Sequence, residues 1–284
     1  MTKLVQRLLI FSLGIPAIIA LVAYLPFYNH LAVNLVVTII SALGAVEFSQ
    51  ILAKKHYSLP PWEAAILGAL APAAMTLSIS LNIPGELVPA AFIFGAGWLI
   101  ASRVFSSLQD ISQVLDRISA GLSVMIYPGI FMLWIIRMTR LPHATVIILS
   151  FLLMVFANDS LAWAVGMLFG KGNRGFIPAS PNKSIAGFIG GMAGSLIIGI
   201  IAPLLFPAAF TTNHTLPRLI GGIILGICVG IVAIIGDLAE STIKRSGEVK
   251  DSGFIIPGRG GVLDSVDSIA LAAPVFYALY WILF

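Results

Sequence analysis

Carboxylates and basic side chains concentrate near the end of this otherwise apolar chain, between Gly236 and Ser268. Six of the twelve Asp and Glu residues lie there, with four of the Lys and Arg residues and a glycine-rich loop, Pro257-Gly258-Arg259-Gly260-Gly261. Carboxylate oxygens are ligands for hard cations such as Mg²⁺, and Lys and Arg hold phosphate oxygens as point charges or forks. The combination predicts a divalent metal acting on a phosphate-bearing substrate.

The first part of this segment places four polar side chains on one helical face. Asp237, Glu240, Ser241 and Lys244 follow i, i+3, i+4, i+7 spacing. A helix end that meets headgroup water, with Lys244 extended toward the surface, would also produce this pattern. The pattern is therefore compatible with a site and with a solvated helix end.

The second part favours the site. Asp264, Asp267 and Ser268 repeat the i, i+3, i+4 spacing directly after the glycine-rich loop. Helix capping explains one aspartate, but it does not explain two carboxylates on the same face. We expect Asp237, Asp264 and Asp267 to bind the metal, and the N–H groups of the loop, around Gly260 and Gly261, to face phosphate.

A second polar group follows a long apolar run. Asp159 lies well inside that run, where a carboxylate costs about 2.5–3.5 kcal/mol to insert and is a functional candidate by default. Ser180 and Lys183 follow in the next polar loop, where Ser-Pro and Asn-Lys could instead simply begin a helix. Glu47 lies near the end of another apolar run, where it could extend toward the surface or form a pair, and we place it outside the site.

The elements that position these residues are membrane helices. The chain is 59% apolar and 10% charged, with a mean hydropathy of +1.03, whereas soluble domains are about 45–50% apolar and about 25% charged. Several segments reach the roughly 20 apolar residues that cross a bilayer. We therefore predict an all-α polytopic membrane protein. Cys228 is the single cysteine, which excludes an intrachain disulfide and a cysteine-based metal site.

Polar breaks divide the chain into about nine predicted transmembrane helices: 4–25, 31–52, 62–81, 87–102, 119–137, 144–169, 185–206, 217–240 and 264–284. Thirteen of the sixteen Lys and Arg residues then fall on one side, and Arg137, Arg140 and Arg218 fall on the other. Because cytoplasmic loops carry the excess of positive charge, the N-terminus and both polar loops are predicted to be cytoplasmic. We interpret 1–140 as mainly scaffold and lipid-facing and 141–284 as catalytic, within one integrated bundle.

The polar segment also resembles a known signature, that of the phosphatidate cytidylyltransferase (CDP-diacylglycerol synthase) family. The matching positions are Ser241, Lys244, Arg245, Lys250, Asp251, Gly253, Pro257, Gly258, Gly260, Gly261, Asp264 and Asp267. Further similarity extends to Asp159-Ser160, to Ser180-Pro181 with Lys183, and to Gly236-Asp237. Arg259 stands where the family usually has His, and Ser265 stands where it usually has Arg.

The resemblance implies an Mg²⁺-dependent enzyme, often assisted by K⁺, that joins CTP to phosphatidic acid and releases pyrophosphate. It implies a bacterial inner-membrane enzyme with a cytoplasmic active site, no nucleic-acid partner, and a homodimer as one candidate assembly. Asp237, Lys244, Asp264 and Asp267 would be catalytic, with Asp159, Ser180, Glu240, Ser241 and Asp251 supporting them. Phosphate would be held by Lys183, Lys244, Arg245, Lys250 and Arg259.

Two other classes of membrane protein share features with this sequence. Intramembrane carboxylates beside polar loops also serve ion-coupled transporters, although a transporter does not require basic residues around three aspartates. Other lipid-metabolising membrane enzymes carry aspartate motifs, such as Asp-Gly-x-x-Ala-Arg, that do not occur in this sequence. Release of pyrophosphate that depends on phosphatidic acid would separate these classes.

Overall fold

The computed structural model of the chain describes residues 3–55, 59–104, 111–212 and 216–284. Within these ranges the backbone is mainly helical, and its β-structure is limited to isolated bridges. The helices are α1 (Lys3–Tyr24), α2 (Phe27–Ala53), α3 (Pro61–Ser80), α4 (Leu87–Ala101), α5 (Val114–Met138, with a π-helical turn at Met125–Ile130), α6 (Ala144–Phe169), α7 (Ile185–Leu205), α8 (Arg218–Ser246) and α9 (Leu263–Leu283). The predicted all-α class is confirmed.

Every predicted span coincides with one of these helices. Seven helices, α2, α3 and α5 to α9, are long and apolar enough to cross a membrane. The other two predicted spans are represented by shorter apolar segments, Ser12–Tyr24 within α1 and Leu87–Ala101. A polytopic membrane protein is therefore confirmed, whereas the count of nine and the cytoplasmic N-terminus stay predictions.

Helices α6 and α7 pack through a row of glycines. A Cβ on Gly194 would lie 2.5 Å from the Ala157 carbonyl oxygen, and a Cβ on Gly191 would lie 2.9 Å from Asn158 Oδ1. Small residues let membrane helices approach this closely. Asn158 Nδ2 then donates to Ser195 Oγ (3.1 Å) and to the Gly230 carbonyl (3.2 Å), which ties α6 to α7 and α8. This packing fixes the helix turn that carries Asp159.

The chain forms two compact units. One contains residues 1–140 and 243–266, and the other contains residues 141–242 and 267–284. The segment with Lys244, Lys250 and Asp264 groups with the N-terminal helices. The functional division between scaffold and catalytic halves stays a prediction.

A buried ion-pair network joins α3, α4 and α5 in the first unit. The Glu63 carboxylate, 3% exposed, accepts from Arg117 Nη2 at 2.9 Å and from Trp98 Nε1 at 3.0 Å. Arg103 Nη2 lies 3.6 Å from the same carboxylate. Two guanidinium groups thus share one carboxylate.

Glu63→Gln should lower the unfolding free energy by about 3 kcal/mol, because the largely buried Arg117 guanidinium would lose its carboxylate partner. The thermal unfolding midpoint in detergent measures this, and we expect a decrease of several degrees. Glu86→Gln is the matched control, since Glu86 is exposed and precedes α4. Equal midpoints for the two variants would contradict a stabilising role for the network.

Candidate functional site

Three carboxylates of the second unit, those of Asp159, Asp237 and Glu240, lie near Asp267, and we call these four residues together the acidic cluster. Asp267 is 6% exposed, and the charges of Asp237, Glu240 and Asp159 all act on it. Glu240 is fully buried, and Ser268 Oγ donates to Asp159 Oδ1 at 3.4 Å. The cluster joins α6, α8 and α9.

Close packing of α8 against α9 brings Asp237 toward the Asp267 turn. Gly236 lies directly against α9, so that a Cβ there would be 2.7 Å from the Asp267 carbonyl oxygen and 3.2 Å from Ser268 Cα. The glycine before Asp237 is therefore required by backbone contact. Any side chain at 236 would push the Asp237 turn away from Asp267.

Lys183 supplies a cation to the acidic cluster. Its Nζ forms an ion pair with Asp237 Oδ2. The lysine is placed by a turn in which its N–H donates to the Ser180 carbonyl (3.1 Å), followed by the N-cap Ser184, whose Oγ accepts from Gly187 N (3.0 Å). Sequence reasoning predicted both Lys183 and Ser180 for the site, and the structure brings Lys183 into contact with one of the proposed metal ligands.

A second group in the first unit comprises Glu47, Lys244, Ser252, Gly261 and Asp264, and we call it the loop cluster. Lys244 Nζ donates to Asp264 Oδ1 at 2.5 Å. Asp264 Oδ2 accepts from Gly261 N (2.7 Å), from Ser252 N (2.8 Å) and from Ser252 Oγ (3.0 Å). The Asp264 carboxylate is therefore engaged by protein donors on both oxygens.

Glu47 of α2 completes the loop cluster, although the sequence analysis left it outside the site. Its carboxylate is buried and accepts from Val262 N (2.9 Å), Leu263 N (2.8 Å) and Ser252 Oγ (3.0 Å). A lone acid within an apolar span is the signal that could have identified it, because such a group is costly unless it is used.

The N–H groups at the end of the glycine-rich loop contact carboxylates of the protein, whereas the sequence predicts contact with phosphate. The N–H groups of Gly261, Val262 and Leu263 face Asp264 and Glu47, whereas the sequence analysis assigned the loop's N–H groups to phosphate. The physical reason is the helix start. The N–H groups at the start of α9 have no intrahelical partner, and buried protein carboxylates satisfy them as a phosphate would.

The other predicted residues lie at more accessible positions. Arg245 and Lys250 are exposed, and Arg245 Nη1 donates to the Val249 carbonyl at 3.2 Å. Asp251 is also exposed. Ser241 and Arg259 are half-buried. Their assignments to phosphate binding or to a supporting role stay predictions.

Gly260 has a positive φ of 115°, which L-residues rarely adopt. A Cβ there would contact Asp264 Oδ2 and would lie 3.0 Å from Asp251 Cβ. We expect Gly260→Ala to reduce activity at least about 10-fold, because the displaced loop would no longer hold Asp264 in place. Initial rates of the reaction that the signature resemblance implies measure this, and Gly97→Ala, whose Cβ meets open space, is the control. Equal rates in both variants would contradict the assignment.

The donor chemistry of the acidic cluster fits a divalent cation. Carboxylate oxygens are hard ligands suited to Mg²⁺, and the cluster brings together four carboxylates, of which that of Asp237 pairs with Lys183. In the described parts of the chain, no group of three or more His, Cys, Asp and Glu side chains is already arranged to hold a metal. Binding would therefore require small side-chain rotations that converge carboxylate oxygens on the ion.

Buried carboxylates and ion-paired lysines in an α-helical membrane protein are typical of membrane-embedded enzymes that handle charged substrates and of ion-coupled transporters. Comparison with known proteins specifies the family. The Cytidylyltransferase family profile matches residues 5–283, nearly the whole chain. The chain belongs to the Cytidylyltransferase family.

Three individual relatives share the name phosphatidate cytidylyltransferase. The phosphatidate cytidylyltransferase of Haemophilus influenzae is 30% identical over 299 residues, which cover 97% of this chain and 98% of the relative. The phosphatidate cytidylyltransferase of Pseudomonas aeruginosa is 45% identical over 148 residues, so that this alignment covers 52% of each chain. That of Thermotoga maritima is 33% identical over 186 residues, covering 65% of this chain and 67% of the relative. The family resemblance deduced from the signature is confirmed.

Proposed function

We propose that this protein is a phosphatidate cytidylyltransferase, which transfers CMP from CTP to phosphatidic acid and yields CDP-diacylglycerol and pyrophosphate. The observation that carries the proposal is the Haemophilus relative of that name, because its similarity extends over 97% of this chain. Neither the family nor the relatives' names support the transporter alternative.

The reaction exchanges one phosphorus–oxygen bond for another. A phosphate oxygen of phosphatidic acid attacks the α-phosphorus of CTP, and the bond from that phosphorus to the bridging oxygen of the β-phosphate breaks. Pyrophosphate leaves with the electron pair. A phosphomonoester has a second pKa of about 6 and is largely ionised at neutral pH, so the attacking oxygen needs little help from a general base. Positioning and charge neutralisation are therefore the main tasks of the protein.

Basic residues of this chain perform the neutralisation. Lys244, Arg245, Lys250 and Arg259 would offset the charge that develops on departing pyrophosphate, and Lys183 would act from the acidic cluster. Lys244 and Lys183 are already oriented by their partners Asp264 and Asp237. Ser241 would serve as a hydrogen-bonding residue, since the transfer requires no covalent enzyme intermediate.

Mg²⁺ would be held by Asp237 and Asp267 in the acidic cluster, where it would neutralise phosphate oxygens of CTP. Asp264, the third ligand predicted from the signature, has its oxygens engaged by Lys244, Ser252 and Gly261, and its place in the ligand set stays a prediction. A requirement for K⁺ and a homodimeric assembly rest on the family resemblance. The proposed location is the inner membrane with the site on the cytoplasmic side, where CTP is available.

The experiment that tests the function measures pyrophosphate release by purified protein in detergent with CTP and Mg²⁺. We expect release only when phosphatidic acid is present. Diacylglycerol, which lacks the attacking phosphate, is the matched control lipid. Pyrophosphate release that is independent of phosphatidic acid would contradict the proposal, and ion flux in liposomes without CTP turnover would favour a transporter.

The two departures from the family signature allow a test of compensation between residues. Ser265 Oγ donates to the Gly261 carbonyl at 3.3 Å, where the family usually carries a cation. We propose that Arg259 supplies the missing positive charge. Arg259→His and Ser265→Arg, made singly, should each lower kcat/KM, and the double variant should recover most of the loss. Additive effects on log kcat/KM would show that the two positions do not compensate.

A further inference from the structure

Glu47 lies in α2, within residues 1–140 that we interpret from the sequence as mainly scaffold. Its carboxylate nevertheless contacts the segment that carries the family signature. Ser252, Val262 and Leu263 all donate to its carboxylate, and Ser252 is separated from it by 205 residues of sequence. Both carboxylate oxygens are used, since Oε1 accepts from Val262 N and Oε2 accepts from Leu263 N and Ser252 Oγ. Both oxygens of the Glu47 carboxylate are therefore hydrogen-bonded to this segment.

The contact provides an N-terminal cap that α9 lacks in its own sequence. The residue before Leu263 is Val262, whose side chain has no oxygen to accept from the free N–H groups of the first turn. A carboxylate at this end of the helix also interacts favourably with the positive end of the dipole. Glu47 supplies that carboxylate from α2 and so determines where α9 begins.

Ser252 links Glu47 to the proposed catalytic residues. Its hydroxyl lies 3.0 Å from Glu47 Oε2 and 3.0 Å from Asp264 Oδ2, and it accepts from Asp264 N at 3.3 Å. A hydroxyl has one proton to donate, so Ser252 donates to one of the two carboxylates at a time. A shift of Glu47 would therefore be transmitted through Ser252 to Asp264 and its partner Lys244.

Two glycines of the signature are explained by the same carboxylate. A Cβ on Gly253 would lie 2.5 Å from Glu47 Oε1, and a Cβ on Gly261 would contact Glu47 Oε2 and Ser252 Oγ. No side chain fits between the loop backbone and Glu47 at these positions. The loop backbone at Gly253 and Gly261 therefore packs directly against the Glu47 carboxylate.

We infer that Glu47 is a positioning residue for cytidylyl transfer, which acts through Ser252 and the α9 cap to hold Lys244 and Asp264 in their working arrangement. The inference rests on the proposed function. It assigns a role in the reaction to an N-terminal helix outside the signature.

Glu47→Gln tests the role with little change of shape. An amide keeps one acceptor oxygen, but it presents N–H groups to backbone or hydroxyl donors that the carboxylate now satisfies. We expect kcat/KM for CTP to fall about 10- to 100-fold, the range typical of residues that orient functional ligands. The KM for CTP should rise, because Lys244 is assigned to the CTP phosphates, whereas the KM for phosphatidic acid should change less than twofold. Glu248→Gln is the matched control, because Glu248 lies in the same unit and is 82% exposed.

A second pair of variants tests the contact independently of the folding of Glu47→Gln. Gly253→Ala should reduce kcat/KM in the wild-type background, and the reduction should be several-fold smaller in Glu47→Ala, where the obstructing carboxylate is absent. Ser252→Ala should reproduce a smaller part of the Glu47→Gln defect, about 10-fold in kcat/KM, with the same rise in the KM for CTP.

The outcomes separate this inference from the proposed function. An inactive wild-type protein would contradict the proposed function itself. An active wild type with wild-type kinetics in folded Glu47→Gln would overturn the positioning role. Equal costs of Gly253→Ala in the two Glu47 backgrounds would overturn it as well. If the Glu47 variants do not fold, an unaltered KM for CTP in folded Ser252→Ala would overturn it instead.

Discussion

Asp267→Asn should abolish CTP turnover, with a decrease in kcat/KM of more than about 100-fold. Even residues that only support metal ligands cost about 10- to 100-fold when replaced, and Asp267 is the buried carboxylate on which the other three members of the acidic cluster act. Asparagine has nearly the same shape, so the change removes charge and leaves the packing of α9 intact. Steady-state rates over a range of Mg²⁺ concentrations measure the effect.

The same substitution should leave the protein as stable as the wild type, or more stable, when Mg²⁺ is absent. Removal of one negative charge relieves repulsion from Asp159, Asp237 and Glu240. In the wild type, Mg²⁺ should raise the thermal unfolding midpoint, and in Asp267→Asn this increase should be lost. Asp116→Asn, at the start of α5, is the control for loss of an aspartate outside the cluster. A destabilised Asp267→Asn protein that keeps its Mg²⁺ response and its activity would contradict the assignment.

Lys244→Met should have the second large effect, a decrease in kcat/KM of about 100-fold or more, because it removes a cation assigned to the phosphates. It should also destabilise the fold by about 3 kcal/mol, since the side chains of Lys244 and Asp264 are 12% and 6% exposed and the carboxylate would lose its charged partner. Activity and unfolding midpoint are measured on the same preparation.

The double variant Lys244→Met with Asp264→Asn separates the two effects. With both charges removed, stability should recover in large part, because a buried pair replaced by neutral groups costs little. Activity should remain at the level of the single variants. Recovery of turnover together with stability would show that Lys244 and Asp264 are structural residues alone. Arg245→Met, at an exposed neighbouring position, should affect kinetics without the loss of stability.

The membrane architecture was predictable because apolar length is a local property. Helix α6 (Ala144–Phe169) coincides with the span drawn from the sequence, and α7 ends within one residue of its predicted end. Helix α8 continues to Ser246, six residues beyond the predicted end of the span, because the polar face from Asp237 to Lys244 is helical although it is not apolar. Hydropathy locates the membrane-crossing part of a helix and misses its polar extension.

Partners distant in sequence were not predictable from spacing. Residue types identified Lys183 and Asp237 separately, but only the fold pairs them. From the sequence, Glu47 is a carboxylate near the end of its own span, and extension to the surface is an adequate explanation for it. Its contact with the start of α9 is seen only in the structure. Gly261 carries an indirect signal, since a glycine beside a helix start indicates close approach of a group to the backbone. That group was expected to be phosphate, and in the structure it is a carboxylate of the protein.

The destination of the α-phosphorus of CTP tests the central claim most directly. Purified protein is incubated with phosphatidic acid, Mg²⁺ and CTP labelled at either the α- or the γ-phosphate, and the lipid is extracted. Cytidylyl transfer predicts that the α-label enters the lipid fraction as CDP-diacylglycerol, while the γ-label remains in aqueous pyrophosphate. Recovery of the γ-label in the lipid, or of no label in the lipid with folded protein, would contradict the account.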